Sequence, residues 1–189
     1  HDLRYVHAVV PAYTLDYSTA DNLFKSGAAA MIINGDWALT DYLATFGDAL
    51  GIALLPKVSA TGLWPQPAVQ GNFYLFNANQ TKKDLEASQL FVNFASTKEE
   101  QLRWTQNAKR LPALQAALAD PLVQADPLLQ VSAAQAALGR RMPVSQEMGC
   151  VWGRMWDPLG QVMEDAMSAA DAAAIMQAEV EYLVNMIPL

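Results

Sequence analysis

The sequence predicts an α/β fold made of packed layers. Short apolar runs bounded by Gly or Pro indicate strands, and they alternate with longer segments whose apolar residues recur at helical spacing. Hydrophobic residues make up 52% of the 189-residue chain and charged residues 16%, a balance that allows a packed core. Strands and helices that alternate in this way favour helices packed against a sheet.

The first predicted elements are a helix, a strand and a second helix. The segment 18–26 predicts a helix with Ser18 or Thr19 as its N-cap. The run 28–33 is continuous, apolar and flanked by glycine, which predicts a buried strand. Apolar residues at helical spacing over 36–46 predict the helix that follows the turn.

The rest of the chain is predicted to be mainly helical. The run 51–56 predicts a second strand, and 70–76 is expected to be extended beyond a Gly- and Pro-rich loop. Because four or five strands are few for this length, we expect residues outside this chain to complete the sheet. The later helices are predicted over 81–95, from Thr97, from Asp120, from Asp126, from Glu147 with an interruption or kink near Pro158, and over 170–186.

Composition argues against several classes of function. The formal net charge is -7, without a Lys/Arg cluster, so no nucleic-acid partner is expected. The one cysteine, Cys150, cannot form an intramolecular disulfide, and His1 and His7 leave no central histidine for a catalytic constellation. Without a phosphate-binding loop or a metal-binding pattern, no cofactor and no metal are expected. No run approaches the roughly 20 apolar residues of a membrane span.

Carboxylates near tryptophans leave a carbohydrate-active enzyme, a glycosidase, open as one possible function. A glycosidase uses a pair of carboxyl groups, and Asp36, Glu147 and Asp157 are the candidates. Asp36 and Glu147 also stand at predicted helix starts, where a negative charge favours the helix dipole. Capping is the simpler explanation, and a transferase that uses Cys150 is a further enzymatic possibility.

Two of the five tryptophans stand where a side chain can project from the edge of a layer. Trp37 and Trp152 lie in the first turns of predicted helices that follow polar breaks, whereas Trp104 within a helix is most simply a packing residue. A flat indole can stack on the apolar face of a sugar ring while polar neighbours bind the hydroxyl groups. Core packing is the competing interpretation for Trp37 and Trp152.

Four stretches of the sequence resemble a known family. The stretch 15–38 (LDYSTADNLFKSGAAAMIINGDWA) matches the pattern F-x-x-G-x-x-A-M-x-x-[NG]-G-x-W, and 51–56 (GIALLP) matches a G-x-x-x-x-P strand. Gly71-Asn72-Phe73 stands where many members have a Gly-Gly-x ligand loop, and 142–152 resembles the segment that carries a second aromatic residue. These blocks resemble the extracellular solute-binding proteins of carbohydrate ABC transporters, the maltose-binding-protein-like group.

The resemblance implies a type II periplasmic-binding-protein-like fold, in which two lobes enclose a ligand cleft. Residues 1–70 resemble the first segment of the C-terminal lobe, 71–112 an excursion into the N-terminal lobe, and 113–189 the returning helices of the C-terminal lobe. The implied function is the substrate-binding component of an importer and not an enzyme. It binds a sugar or oligosaccharide by aromatic stacking and hydrogen bonds. Its implied partner is a membrane permease, and its implied location is extracytoplasmic, periplasmic or lipid-anchored.

The resemblance also implies ligand-binding residues. Asn72 replaces the second glycine of the loop, and Trp156 stands where an arginine or a small residue can occur. Since the chain resembles about half of such a protein, we expect it to bind sugar weakly or not at all alone, and to self-associate through exposed apolar surface. The candidates are Trp37, Trp152, Asp36, Gly71, Asn72, Met148, Tyr17, Trp156 and Glu147.

Overall fold

The computed structural model describes residues 2–10 and 16–187 of the chain. In these residues helices dominate, and the strands are only two residues long. The strands are β1 (Ala68–Val69) and β2 (Arg140–Arg141), and 3-10 turns occupy Asp36–Ala38 and Gly47–Ala49. The helices are α1 (Asp2–Tyr5), α2 (Tyr17–Lys25), α3 (Leu39–Phe46), α4 (Lys82–Ala95), α5 (Lys98–Ala108), α6 (Gln115–Leu118), α7 (Pro121–Gln124), α8 (Pro127–Leu138), α9 (Glu147–Met163) and α10 (Ala169–Asn185).

The chain divides into two compact units. One unit combines His1–Ile32 with Pro143–Leu189, and the other is the contiguous segment Ile33–Met142. Within the first unit α9 packs along α10, and the hydroxyl group of Tyr5 donates a hydrogen bond to the carbonyl oxygen of Met163 at 2.7 Å. The first unit is therefore discontinuous in sequence. The lobe boundaries near residues 70 and 112 stay a prediction.

Helices α4 and α5 begin at the capping residues that the sequence predicts. The hydroxyl oxygen of Thr81 accepts a hydrogen bond from the backbone N–H of Asp84 at 3.2 Å, and that of Thr97 accepts one from Glu100 at 3.4 Å. Each cap satisfies an N–H group in the first helical turn that has no partner within the helix. These starts are therefore set by local chemistry.

The N-cap of α2 is Asp16, so the prediction of Ser18 or Thr19 at this position is wrong. The carboxylate of Asp16 accepts hydrogen bonds from the hydroxyl group of Thr19 at 2.7 Å and from its backbone N–H at 2.8 Å. These bonds hold the pKa of Asp16 below its ordinary value. A carboxylate that accepts both bonds makes the stronger cap, because charge-assisted hydrogen bonds are stronger than neutral ones.

The predicted strands at 28–33 and 51–56 are wrong for the described residues, where neither run is paired in a sheet. The run 28–33 is not buried either, since Met31 is 87% exposed and Ile33 81%. In the run 51–56, the backbone N–H of Leu55 donates to the side-chain oxygen of Gln135 at 2.9 Å and not to a strand. Apolar runs indicate strand preference, but a strand also needs a neighbouring strand to bond with.

Strands β1 and β2 pair in parallel, with Ala68 opposite Arg140. The N–H of Arg140 donates to the carbonyl oxygen of Pro67 at 2.9 Å, and the N–H of Met142 donates to that of Val69 at 2.9 Å. Gly139 precedes β2, and the two backbones approach closely at this glycine. This pairing links segments that are about 70 residues apart in sequence.

The core of the Ile33–Met142 unit lies among its helices. Helix α5 contacts α3, α4, α6 and α7, and α7 contacts α8. Val123 of α7 and Leu129 of α8 are fully enclosed, and Leu39 and Tyr42 of α3 are buried as well. Helix α3, and with it the turn that precedes it, therefore rests on packed helices.

An ion pair connects the end of α5 to the start of α8. The Nζ atom of Lys109 lies 2.8 Å from one carboxylate oxygen of Asp126, whose other oxygen accepts the N–H groups of Leu128 and Leu129. Burial raises the pKa of Asp126, but the hydrogen bonds from Lys109 and the backbone outweigh it, so the pKa lies below its ordinary value. One carboxylate thus caps α8 and holds the last turn of α5.

We expect Asp126→Asn to lower the free energy of unfolding by about 1–2 kcal/mol at pH 7, because asparagine keeps the cap but loses the charge that pairs with Lys109. The folded pKa of Asp126 is depressed, so its contribution is present above the unfolded pKa of about 3.9 and is lost as pH falls through the folded pKa. Urea unfolding of the unmodified chain and of Asp126→Asn, at neutral and at acidic pH, measures the loss in the free energy of unfolding at each pH. Asp48→Asn, at an exposed carboxylate, is the control. A loss of equal size at both pH values would contradict the ionic contribution.

Candidate functional site

The side chain of Asn34 helps to hold the turn that leads to Trp37. The side-chain oxygen of Asn34 accepts a hydrogen bond from the N–H of Gly35 at 2.8 Å, and its amide nitrogen donates to the hydroxyl oxygen of Tyr42 at 2.7 Å. The N–H of Ala38 donates to the carbonyl oxygen of Gly35 at 3.2 Å. Because Tyr42 is buried in α3, these bonds fix the turn to a rigid part of the unit.

The indole of Trp37 packs back onto the preceding turn. A Cβ atom added to Gly35 would lie less than 3.0 Å from three consecutive carbons of the six-membered ring, Cε3, Cζ3 and Cη2, at nearly equal distances. That geometry places the ring face, and not the ring edge, against Gly35. Trp37 is nevertheless 53% exposed, so about half of the residue faces solvent.

Three further candidates belong to the same unit as Trp37. Asp36 directly precedes the tryptophan and is half-buried, and Gly71 and Asn72 are exposed in the segment between β1 and α4. A Cβ atom on Gly71 would meet nothing within 4 Å. Close packing therefore does not require glycine at this position, which is open to solvent. The roles of these three residues in binding stay a prediction.

Helix α9 carries a second aromatic surface, in the other unit. Met148, Trp152 and Trp156 are four residues apart in turn and therefore share one face of the helix. Trp152 is 46% exposed and Trp156 is also exposed, whereas Pro158 and Val162 are buried. Helix α9 continues through Pro158 to Met163, so the helix is not interrupted there, and a kink near Pro158 stays a prediction.

Tyr17 and Glu147 complete the candidates in this unit. Tyr17 is the first residue of α2 and is exposed, and Glu147 is the first residue of α9 and is half-buried. A hydrogen bond from Ser145 holds the pKa of Glu147 below its ordinary value. Glu147 is therefore ionised at neutral pH and can only accept hydrogen bonds.

The carboxylates of α9 do not form a glycosidase pair. Glu147 and Asp157 are ten positions apart on one continuous helix, which separates their Cα atoms by about 15 Å. Glycosidase carboxyl groups lie roughly 5–9.5 Å apart, and the acid of the pair needs a raised pKa. The pKa of Glu147 is lowered instead, so this residue is poorly suited to protonate a leaving group.

Sequence reasoning missed the residues that support Trp37. The Asn34-Gly35 dipeptide is a turn signal, which indicates a turn but not its contacts. The hydrogen bond from Asn34 to Tyr42 depends on the position of α3 in the folded chain. The contact between Gly35 and Trp37 depends on the side-chain rotamer of Trp37. The one available signal was therefore the dipeptide itself.

A second set of exposed apolar side chains lies outside these candidates. Trp104, expected to be a packing residue, is 64% exposed. Apolar surface of this kind favours association, and self-association of the chain stays a prediction. The exposed set on α4, on α5 and in the segment before α4 is Phe73, Tyr74, Leu75, Phe76, Leu90, Phe91, Phe94 and Trp104.

Other features of the described residues offer little chemistry. A shallow groove of about 490 Å³ in the Ile33–Met142 unit is lined by Leu43, Lys109 and residues of α7 and α8, without an aromatic residue for stacking. Within 2–10 and 16–187, no three His, Cys, Asp or Glu side chains are grouped so as to hold a metal ion. No helix in the same ranges has the length and apolar character needed to cross a membrane.

Comparison with known proteins identifies the class to which this fold belongs. A family model described as bacterial extracellular solute-binding protein matches residues 4–131. The chain therefore belongs to this family. It is 29% identical over 178 residues to the maltotriose-binding protein of Pyrococcus abyssi, an alignment that covers 93% of this chain and 39% of that protein.

Solved structures agree with the family. The maltose/maltodextrin-binding domain MalE from Bdellovibrio bacteriovorus, bound to maltotriose, is 33% identical with a TM-score of 0.86, covering 97% of this chain and 48% of that one. The maltotriose-binding protein of Thermus thermophilus, bound with maltotriose, is 30% identical with a TM-score of 0.71, covering 95% and 46%. The predicted fold class is confirmed, and the chain spans less than half the length of these proteins.

Proposed function

We propose that this chain forms part of the sugar-binding component of an ABC importer, and that its ligand is maltotriose or a similar oligosaccharide. The observation that carries the proposal is the indole of Trp37, which packs one face on Gly35 while the residue remains 53% exposed. An indole held in this way can stack on the apolar face of a sugar ring. Maltotriose is the sugar bound to the two solved structures described above.

The discontinuous unit, His1–Ile32 with Pro143–Leu189, supports the proposal with a surface of the same kind. Trp152 and Trp156 are exposed on one face of α9, and Met148 belongs to the same stripe. Glu147, ionised at neutral pH, can accept hydrogen bonds from sugar hydroxyl groups. The indoles of Trp37 and of Trp152 can each stack on a sugar ring, and polar groups beside each indole can bind the hydroxyl groups of that ring.

In this role the protein captures its ligand without changing it. The carboxylates of α9 are too far apart for glycoside hydrolysis, so the binding function is favoured over the enzymatic alternative. The protein acts outside the cytoplasm, in agreement with a family of extracellular proteins, and delivers the sugar to a membrane permease.

Titration of the 189-residue chain with maltotriose tests the proposal. Because the chain is less than half as long as its solved relatives, we expect a dissociation constant on the order of 1 mM. Tryptophan fluorescence and calorimetry measure it. Trp37→Ala and Trp152→Ala should each weaken binding about fivefold, since an aromatic stacking contact contributes about 1 kcal/mol.

Trp104→Ala is the matched control, because Trp104 is also exposed but is not a candidate for the site. Its affinity for maltotriose should equal that of the unmodified chain. Equal affinities for all three variants, or no response to maltotriose up to its solubility limit, would contradict the proposed role. Micromolar binding would show instead that the chain binds sugar strongly by itself.

A further inference from the structure

We infer that Gly35 is a positioning residue for the Trp37 indole, seating the ring so that an accessible face meets the ligand. The inference rests on the proposed sugar-binding role of Trp37. It extends that role by assigning the orientation of the ring to a residue that does not itself contact the sugar.

The backbone at Gly35 does not require glycine. Its φ of -84° and ψ of 164° are open to any L-amino acid. Conformational freedom therefore does not explain this glycine. What distinguishes glycine here is the missing Cβ atom, because a Cβ atom would overlap the ring carbons of Trp37. Gly35 is thus a seat for the indole, and every larger residue would displace the ring.

The seat is itself held in place. Asn34 accepts a hydrogen bond from the N–H of Gly35 and donates one to the hydroxyl oxygen of Tyr42. The ring of Tyr42 is buried in α3, against the packed helices of the unit. A connection of two short hydrogen bonds therefore fixes the backbone under the indole relative to the core.

The consequence for binding is a tryptophan that is ordered before the ligand arrives. A side chain that must be immobilised on binding reduces affinity, and one that already rests on a fixed surface avoids most of that loss. The same seat decides which part of the indole is covered and which part remains open. Gly35 thereby contributes to affinity through Trp37 alone.

Gly35→Ala tests the inference, with Gly51→Ala as the matched control. A Cβ atom on Gly51, in the same unit, would meet nothing within 4 Å. Near-ultraviolet circular dichroism reports the surroundings of Trp37 when the spectrum of Trp37→Ala is subtracted. We expect Gly35→Ala to change this difference spectrum and to weaken maltotriose binding about fivefold, as Trp37→Ala does. Gly51→Ala should change neither quantity.

A double variant separates positioning from a general structural effect. In the Trp37→Ala background, Gly35→Ala should cause no further loss of affinity, because the ring that it displaces is gone. A further loss in that background would overturn the inference, and so would an unchanged Trp37 spectrum in Gly35→Ala.

Tyr42→Phe is the second test if Gly35→Ala fails to fold. It removes the hydroxyl group that accepts the Asn34 hydrogen bond, so it should alter the Trp37 spectrum while the helices are retained. An unaltered spectrum in Tyr42→Phe would then overturn it.

The spectroscopic measurement needs no sugar, so the two proposals can fail separately. If Gly35→Ala changes the Trp37 spectrum but the unmodified chain does not respond to maltotriose, the proposed function fails and the seat remains. If Trp37→Ala weakens binding while Gly35→Ala alters neither spectrum nor affinity, the proposed function stands and the positioning role fails.

Discussion

Replacing Leu129 by alanine is expected to lower the free energy of unfolding of the Ile33–Met142 unit by about 2–5 kcal/mol. Leu129 lies in the first turn of α8 and is only 2% exposed. A cavity of about 140 Å³ already lies beside it, lined also by Leu102, Thr105 and Val123. Truncation would enlarge this space, and the surrounding helices can close it only in part, so both the lost burial and the added void destabilise the unit.

Urea unfolding followed by far-ultraviolet circular dichroism measures this loss. Leu90→Ala is the matched control, because it is the same substitution, leucine to alanine, at an exposed position on α4. Its effect should stay within about 0.5 kcal/mol. A similar small effect for Leu129→Ala would mean that the core is not centred on α5, α7 and α8.

Gly139→Ala is expected to cost about 1–3 kcal/mol, as overpacking does at other tightly packed sites. A Cβ atom on Gly139 would lie 2.7 Å from the carbonyl oxygen of Pro67 and closer still to a methyl group of Val69. The carbonyl oxygen cannot move away freely, because it accepts the hydrogen bond from Arg140 at 2.9 Å. The substitution should therefore separate β1 from β2.

Amide hydrogen exchange locates the damage. The N–H groups of Arg140 and Met142 donate hydrogen bonds across the β1–β2 pair, and they should exchange faster in Gly139→Ala. Their exchange rates should be unchanged in Gly51→Ala. Adding Val69→Ala should recover part of the stability, because it removes the methyl group but leaves the oxygen of Pro67. Unchanged exchange at both amides would show that the strands accommodate the extra methyl group.

The helices could be predicted largely from sequence because their starting signals are local. Thr81 and Thr97 each cap a helix through a bond to a residue three positions later, and Asp120 and Asp126 each precede a proline in the first turn. Such contacts lie entirely within a few residues of sequence. The error at α2 was also local, since the actual cap, Asp16, lies two or three positions before the predicted Ser18 or Thr19 and accepts its hydrogen bonds from Thr19.

The strands could not be predicted from sequence in the same way. The run 28–33 has the apolar character of a buried strand, yet Met31 and Ile33 are exposed and no described strand pairs with it. Conversely, Arg140 and Arg141 carry no strand signal and form β2, because Ala68 and Val69 come alongside them. Pairing depends on residues far away in sequence, which no local pattern contains.

The candidate site was predictable in residue type but not in geometry. The family pattern draws attention to Trp37, and helical spacing puts Met148, Trp152 and Trp156 on one face. The seat of Trp37 on Gly35 depends instead on a rotamer and on a backbone approach. Single-residue roles in ligand binding therefore stay predictions until the substitutions described above are measured.

The division into a contiguous and a discontinuous unit sets an order of events on the ribosome. Every contact within Ile33–Met142 can form before Pro143 is synthesised, whereas Tyr5 of α1 must wait for the end of α9. The hydrogen bond from Tyr5 to Met163 spans 158 residues of nascent chain. Domains generally fold as units while synthesis proceeds. The segment Ile33–Met142 can therefore fold first, and Tyr5 reaches its partner only after Met163 has been made.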